Sequence, residues 1–154
     1  MIDKPELYRD LLAAVDAITA DEPDVVANMA NVAALLIDWL PDLNWAGFYR
    51  VIGDELVLGP FQGRVACIRI AIGSGVCGTA VATGMSQLVA DVHAFPGHIA
   101  CDTASESELV VPIFANGRVA AVIDLDSPLL GRFDDADRAG VEAIAACIAP
   151  RVCP

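Results

Sequence analysis

The order of segments predicts an α+β fold built on a central antiparallel β-sheet, and three observations carry that prediction. Apolar residues recur at helical spacing at the two ends of the chain and in one short central segment. Aromatic and β-branched runs lie between them. The two clearest turn signals, Gly53-Asp54 and Asn116-Gly117, each join adjacent strand-like runs, which is the antiparallel connection. With 154 residues, 56% of them hydrophobic, the chain is long enough to bury its own core and is expected to form a single domain over residues 1–154.

Leu7, Leu11, Ala14, Val15 and Ile18 predict a first helix from about Pro5 to Ala20, since proline is tolerated in a first turn. A second helix is expected to bury Val26, Met29, Ala30, Ala33, Ile37 and Leu40, with Pro41 stopping it. NWAGFYRV and ELVLGPF then read as a hairpin about Gly53-Asp54. Val65 to Ile72 alternates as a strand carrying Cys67, and GSGVCGTAVATG predicts a short helix carrying Cys77 between Ser74 and Gly84. Gln87 to Val89 is expected as a brief strand, and a second hairpin joins SELVVPIF to RVAAVIDLD. Asp134 caps a last helix whose Val141, Ile144, Ala145 and Ile148 face inward until Pro150.

Between strand and hairpin runs DVHAFPGHIACD, from Asp91 to Asp102, with both histidines and Cys101. Phe95, Pro96 and Gly97 break any period there, and a long irregular segment inside a compact domain is functional or disordered. Its apolar content argues against disorder. Cys101 is the nucleophile candidate, although a lone cysteine also serves as a small buried hydrophobe.

Composition removes several function classes. A formal net charge of −12 with nine Lys and Arg leaves no basic stripe for nucleic acid and disfavours acidic membranes. No run approaches a membrane span and MIDKPELYRD is no leader, so a soluble, cytoplasmic protein is expected. Five irregularly spaced cysteines speak for available thiols rather than a secreted disulfide framework. Gly73, Gly75 and Gly78 lack the G-K-[ST] of a phosphate loop. Cys67, Cys77, His93, His98 and Cys101 are zinc-ligand types without a CxxC or HExxH, and no metal is assigned. No cofactor is assigned either.

Polarity argues the register of the second hairpin. A three-residue loop, Ala115 to Gly117, sets Leu109, Val111 and Ile113 opposite Ile123, Ala121 and Val119 on an apolar face, and Glu108 opposite Asp124 on the other, with Asp126 beside them. The three carboxylates then either end two strands in solvent or converge on a ligand's ammonium group. Trp45, Phe48 and Tyr49 could wall such a site or simply fill the core. His93 and His98 could orient a ligand, transfer protons or bond loop backbone. Cys147 and Cys153 read as bystanders on or beyond the last helix.

NWAGFY, GPFQGRVACIRI, GVCGTA, DVHAFPGHIACD and SELVVPIF, in this order over nearly the whole chain, closely resemble the free methionine-(R)-sulfoxide reductases, a family of GAF-domain enzymes. The resemblance implies a GAF-like fold with the terminal helices on one sheet face and ligand-enclosing loops on the other. It implies that Cys101 attacks the sulfoxide sulfur of free methionine sulfoxide and becomes a sulfenic acid, that Cys67 or Cys77 resolves it, and that thioredoxin reduces the disulfide. Glu108, Asp124 and Asp126 match the family's substrate-binding or proton-donating carboxylates, and Trp45 and Tyr49 its pocket aromatics. A homodimer stays open. The rival from another class is a non-catalytic GAF module that binds a small regulatory ligand.

Overall fold

A computed structural model describes residues 2–98 and 104–154. Helices α1 (Lys4–Thr19) and α2 (Val25–Trp39) lead into strands β1 (Trp45–Ile52), β2 (Glu55–Gly63) and β3 (Arg69–Ala71). Helix α3 (Gly75–Thr83), strands β4 (Gln87–Val89), β5 (Ser107–Ala115) and β6 (Arg118–Ser127), and helix α4 (Asp135–Val152) complete the order. The strands form one antiparallel sheet, β3-β2-β1-β6-β5-β4. Helices α1, α2 and α4 bury one face over Phe48, Leu109, Val111, Ile123 and Leu125. Helix α3 and the loops cover the other, as the resemblance implied. No helix among the described residues is long and apolar enough to cross a membrane.

The helices follow local signals with two corrections. Asp24 caps α2 by accepting from Ala27 N at 2.8 Å, but the buried stripe is Met29, Val32, Ala33, Leu36 and Leu40, and Val26 is 64% exposed. This helix is apolar nearly all round, so two overlapping stripes fit the helical period and only packing selects one. Helix α4 starts with a reciprocal Asp134–Asp137 capping box. It does not stop at Pro150. It continues to Val152, which is buried in the core, and Cys153 N closes the final turn on Ala149 O at 2.9 Å.

Helices α1 and α4 are joined by a buried polar cluster. Asp137 accepts from Tyr8 Oη at 2.8 Å and Lys4 Nζ at 2.6 Å, and Arg132 approaches at 3.3 Å. A Cβ on Gly140 would fall inside the Tyr8 ring, so the two helices approach only because that position has no side chain. Gly140→Ala is expected to destabilise the fold by about 1–3 kcal/mol despite alanine's better helix propensity. Urea unfolding would measure this, and an unchanged midpoint would contradict it.

The second hairpin corrects the expected register. Asn116 and Gly117 have φ of 54° and 75°, the conformation of a two-residue turn that pairs Ala115 with Arg118. A bulge then places the extra residue Ala120 in β6, and pairing resumes as Ile113↔Ala121, Val111↔Ile123, Leu109↔Leu125 and Glu108↔Asp126. Val119 therefore joins the opposite face. Asp124 stands opposite Val110, not Glu108. The bulge restores the parity that a tight turn would have broken, so Glu108, Asp124 and Asp126 still share one face.

Candidate functional site

Pairing across the sheet assembles that face into rows. Trp45 of β1 stands opposite Asp126, and Asp126 opposite Glu108. One row away, Gly47 stands opposite Asp124, and a Cβ there would run into Phe61 and the Trp45 ring, so the missing side chain makes room for the aromatic wall. Glu108 and Asp124 are 6% and 5% exposed, so the carboxylates are not strand ends in solvent. Together with Tyr49, Ile70, Cys77, His98 and Ser105 they line a cavity of ≈ 50 Å³ for the centre of a water-sized sphere. One water needs about 10–15 Å³ on that measure, so the space suits a small organic molecule.

The aromatic wall is also a scaffold. Trp45 stacks on Tyr49 and Phe61 at 6.0 and 5.1 Å between ring centres. Trp45 Nε1 donates to Arg64 O at 3.1 Å and Tyr49 Oη to Cys67 O at 2.9 Å. These side-chain donors take carbonyls that a strand would pair, and so Val65 to Ile68 is irregular rather than the first half of a strand. Strand β3 begins only at Arg69. Phe48, weighed with the other aromatics, faces the opposite layer and is core.

The first turn of α3 forms the roof. Ser74, Gly75 and Val76 line the cavity, and the Ser74 side chain does not cap the helix, so among the described residues no N-cap side chain takes the early backbone N–H groups there. Cys77 sits in that turn, buried, with its Sγ and carboxylate oxygens of Glu108 and Asp124 all within 4.8 Å of one another.

Burial decides the protonation of this cluster. It pushes the Glu108 carboxyl well above the usual range, and the Asp124 and Asp126 charges push it further. Asp124 is raised as well, by burial, but hydrogen bonds with Glu108, Cys77 and Asp126 oppose the rise, whereas every contribution at Glu108 is upward, which favours Glu108 as the proton carrier of the pair. Asp124 Oδ1 is buried without a hydrogen-bond partner among the described residues. Cys77 rises far above an ordinary thiol, from burial first and the three carboxylates next, so it stays S–H. His98 is pushed below the usual imidazole range by burial and by His93, and its Nε2 lies 4.0 Å from Glu108 Oε1.

Cys67 is disulfide-bonded, whereas Cys77, Cys147 and Cys153 are free thiols. Cys101 lies outside the described residues. Among the described residues, His93 sits at the surface with Asp91 and Glu106, and Cys77 sits with Glu108 and Asp124. These two trios are the groupings among the described residues that could hold a metal ion. Phe61 and Ser105 were not singled out as site residues by the sequence, and the α3 turn was weighed there only as a phosphate loop. The uncharged, glycine-rich GSGV opening a helix was the available signal for the last.

Residues 19–150 match the model of the GAF domain family. The free methionine-R-sulfoxide reductase of Escherichia coli is 50% identical over 145 residues, covering 94% of this chain and 88% of that protein. The X-ray structure of free methionine-R-sulfoxide reductase from Neisseria meningitidis in complex with its substrate superposes with a TM-score of 0.95 at 47% identity, over 99% and 92% of the two chains. A substrate complex of the Staphylococcus aureus protein gives 0.90 at 47% identity, over 95% of each.

Proposed function

We propose how this chain, which belongs to the GAF-domain family and within it to the free methionine-(R)-sulfoxide reductases, carries out that reduction. The substrate is free L-methionine (R)-S-oxide. Its ammonium group binds among Glu108, Asp124 and Asp126, and its carboxylate meets the early N–H groups of α3. Trp45 and Tyr49 hold the apolar remainder. Cys101 attacks the sulfoxide sulfur, the oxygen passes to the cysteine sulfur, and methionine leaves a sulfenic acid behind. Cys67 then attacks that sulfur, expels water and forms a disulfide, which thioredoxin reduces.

The observation that carries this reading is the Glu108–Asp124 pair. Both carboxyls are raised by burial, Glu108 further by its neighbours' charges while hydrogen bonds restrain Asp124, so the pair offers Glu108 as proton donor for the sulfoxide oxygen and Asp124 as the partner that ionises against the ammonium. Cys67 in a disulfide, with Cys77 buried and free, supports Cys67 as the resolving residue. A purely regulatory ligand has no use for such a disulfide at the cavity rim.

Incubating the reduced protein with free methionine (R)-sulfoxide and counting thiols tests the reading. Two thiols should be lost per methionine released. Methionine sulfoxide inside a peptide should react at least about a hundredfold more slowly, because a buried carboxylate would be left without its ammonium. Undiminished thiols, or equal rates on the peptide, would contradict the assignment.

A further inference from the structure

We propose that residues 64–69 form the docking surface for the protein dithiol that reduces the Cys67 disulfide, a proposal that rests on reading Cys67 as a redox cysteine. Val65 and Ile68 flank the half-buried Cys67 at 87% and 68% exposure. Their backbone is not loose: Arg64 O, Cys67 O and Ile68 O accept from Trp45 Nε1, Tyr49 Oη and Leu58 N at 3.1, 2.9 and 2.9 Å. The carbonyls are thus engaged with β1 and β2, while two large apolar side chains stand in solvent on either side of a disulfide sulfur. Exposed apolar residues rimmed by polar ones mark interaction surfaces.

Charge identifies the occupant. From Leu56 to Ala90 the chain has no Asp or Glu, and the charged residues there are Arg64 and Arg69, in a protein of net charge −12. Arg69 pairs with Glu55 at 2.5 Å, whereas Arg64 makes no ion pair among the described residues. An anionic partner is repelled by the molecule as a whole and admitted here. An attacking thiolate is such an anion, and an acidic protein with an apolar rim around its thiol matches both features. A small thiol would make no use of Val65 and Ile68.

The chemistry balances on this surface. The partner's thiolate attacks Cys67 Sγ, the disulfide breaks, and the other cysteine, Cys101 in the reading above, leaves as the thiolate that the next turnover needs. The partner's second thiol then loses its proton, attacks the partner's own sulfur in the mixed disulfide and expels Cys67, which takes up the proton. Two electrons pass from the dithiol, which becomes a disulfide.

The test compares reductants in steady-state turnover of free methionine sulfoxide: thioredoxin with its reductase and NADPH, against dithiothreitol. Ile68→Glu should raise KM for thioredoxin about tenfold, with Ile68→Ser doing the same in smaller measure, as for loss of an apolar anchor. Arg64→Glu should lower kcat/KM for thioredoxin about three- to fivefold and flatten its dependence on salt. Dithiothreitol-driven rates should stay within about twofold for all three, because neither side chain touches the substrate. Thioredoxin parameters unchanged in the Ile68 and Arg64 variants, or falling in step with the dithiothreitol rates, would overturn the surface. So would a wild type that turns over with dithiothreitol but not with thioredoxin. A wild type inactive with both would overturn the functional reading and this surface with it.

Discussion

Replacing Cys101 with Ser will lower turnover of free methionine (R)-sulfoxide by at least about a thousandfold, because a hydroxyl at neutral pH supplies neither the anion nor the polarisable sulfur that attack on sulfur needs. The variants at the other thiols separate the remaining roles. Cys67→Ser should still release one methionine per protein in a single turnover, leaving a sulfenic acid that persists, and then recycle slowly. Cys77→Ser should still form the disulfide, since Cys77 is buried and its thiol is held protonated far above the ordinary range. Cys147→Ser and Cys153→Ser should turn over near wild type; Cys147 lies on α4 beside Asp16 and Arg151, on the helical layer away from the cavity. Methionine release and the mass of the oxidised protein, followed together, would check all five. Substantial thiol-dependent activity in the Cys101 variant would remove the nucleophile.

Side-chain parity was the part of the site most legible in the sequence. Polarity put Glu108, Asp124 and Asp126 on one face, and that survives any register shift by two residues. For the same reason polarity could not distinguish a three-residue turn from a two-residue turn followed by a bulge. Only the φ of 54° and 75° at Asn116-Gly117 and the extra Ala120 reveal which occurs. The strand expected over Val65 to Ile72 forms only at Arg69–Ala71: its alternation is real, yet Tyr49 takes the carbonyl of Cys67 and Trp45 that of Arg64 just before it, and both are distant in sequence. Helix α2 offered two apolar stripes, and tertiary packing chose. Protonation was not legible at all. Whether three neighbouring carboxylates are solvated strand ends or a proton-holding cluster depends on what covers them, and α3 and the loops over that face are long-range partners.

Glu108→Gln will make the free protein more stable at neutral pH and nearly inactive. The carboxyl of Glu108 is buried beside Asp124 and Asp126, and its folded pKa is raised well above the unfolded one. Between those two values the native state holds a proton that the unfolded state has lost, so stability falls as pH rises through that window and levels off above the folded pKa. Gln cannot ionise and occupies nearly the same volume, so this slope is removed. The variant should be more stable by about 1–3 kcal/mol at pH 8, with Tm higher by about 2–4 °C per kcal/mol for a chain of this size, and the difference should vanish near pH 4. Activity should move the other way, kcat/KM falling about 10²–10³-fold, because an amide cannot give up a proton to the sulfoxide oxygen. In the wild type kcat/KM should decline as pH rises past the Glu108 pKa, and that limb should be missing from whatever activity the variant keeps. Urea unfolding from pH 4 to 9 beside a pH–rate profile is the measurement. A variant that loses stability at pH 8, or that keeps wild-type turnover, would show that Glu108 does not hold the proton of this cluster.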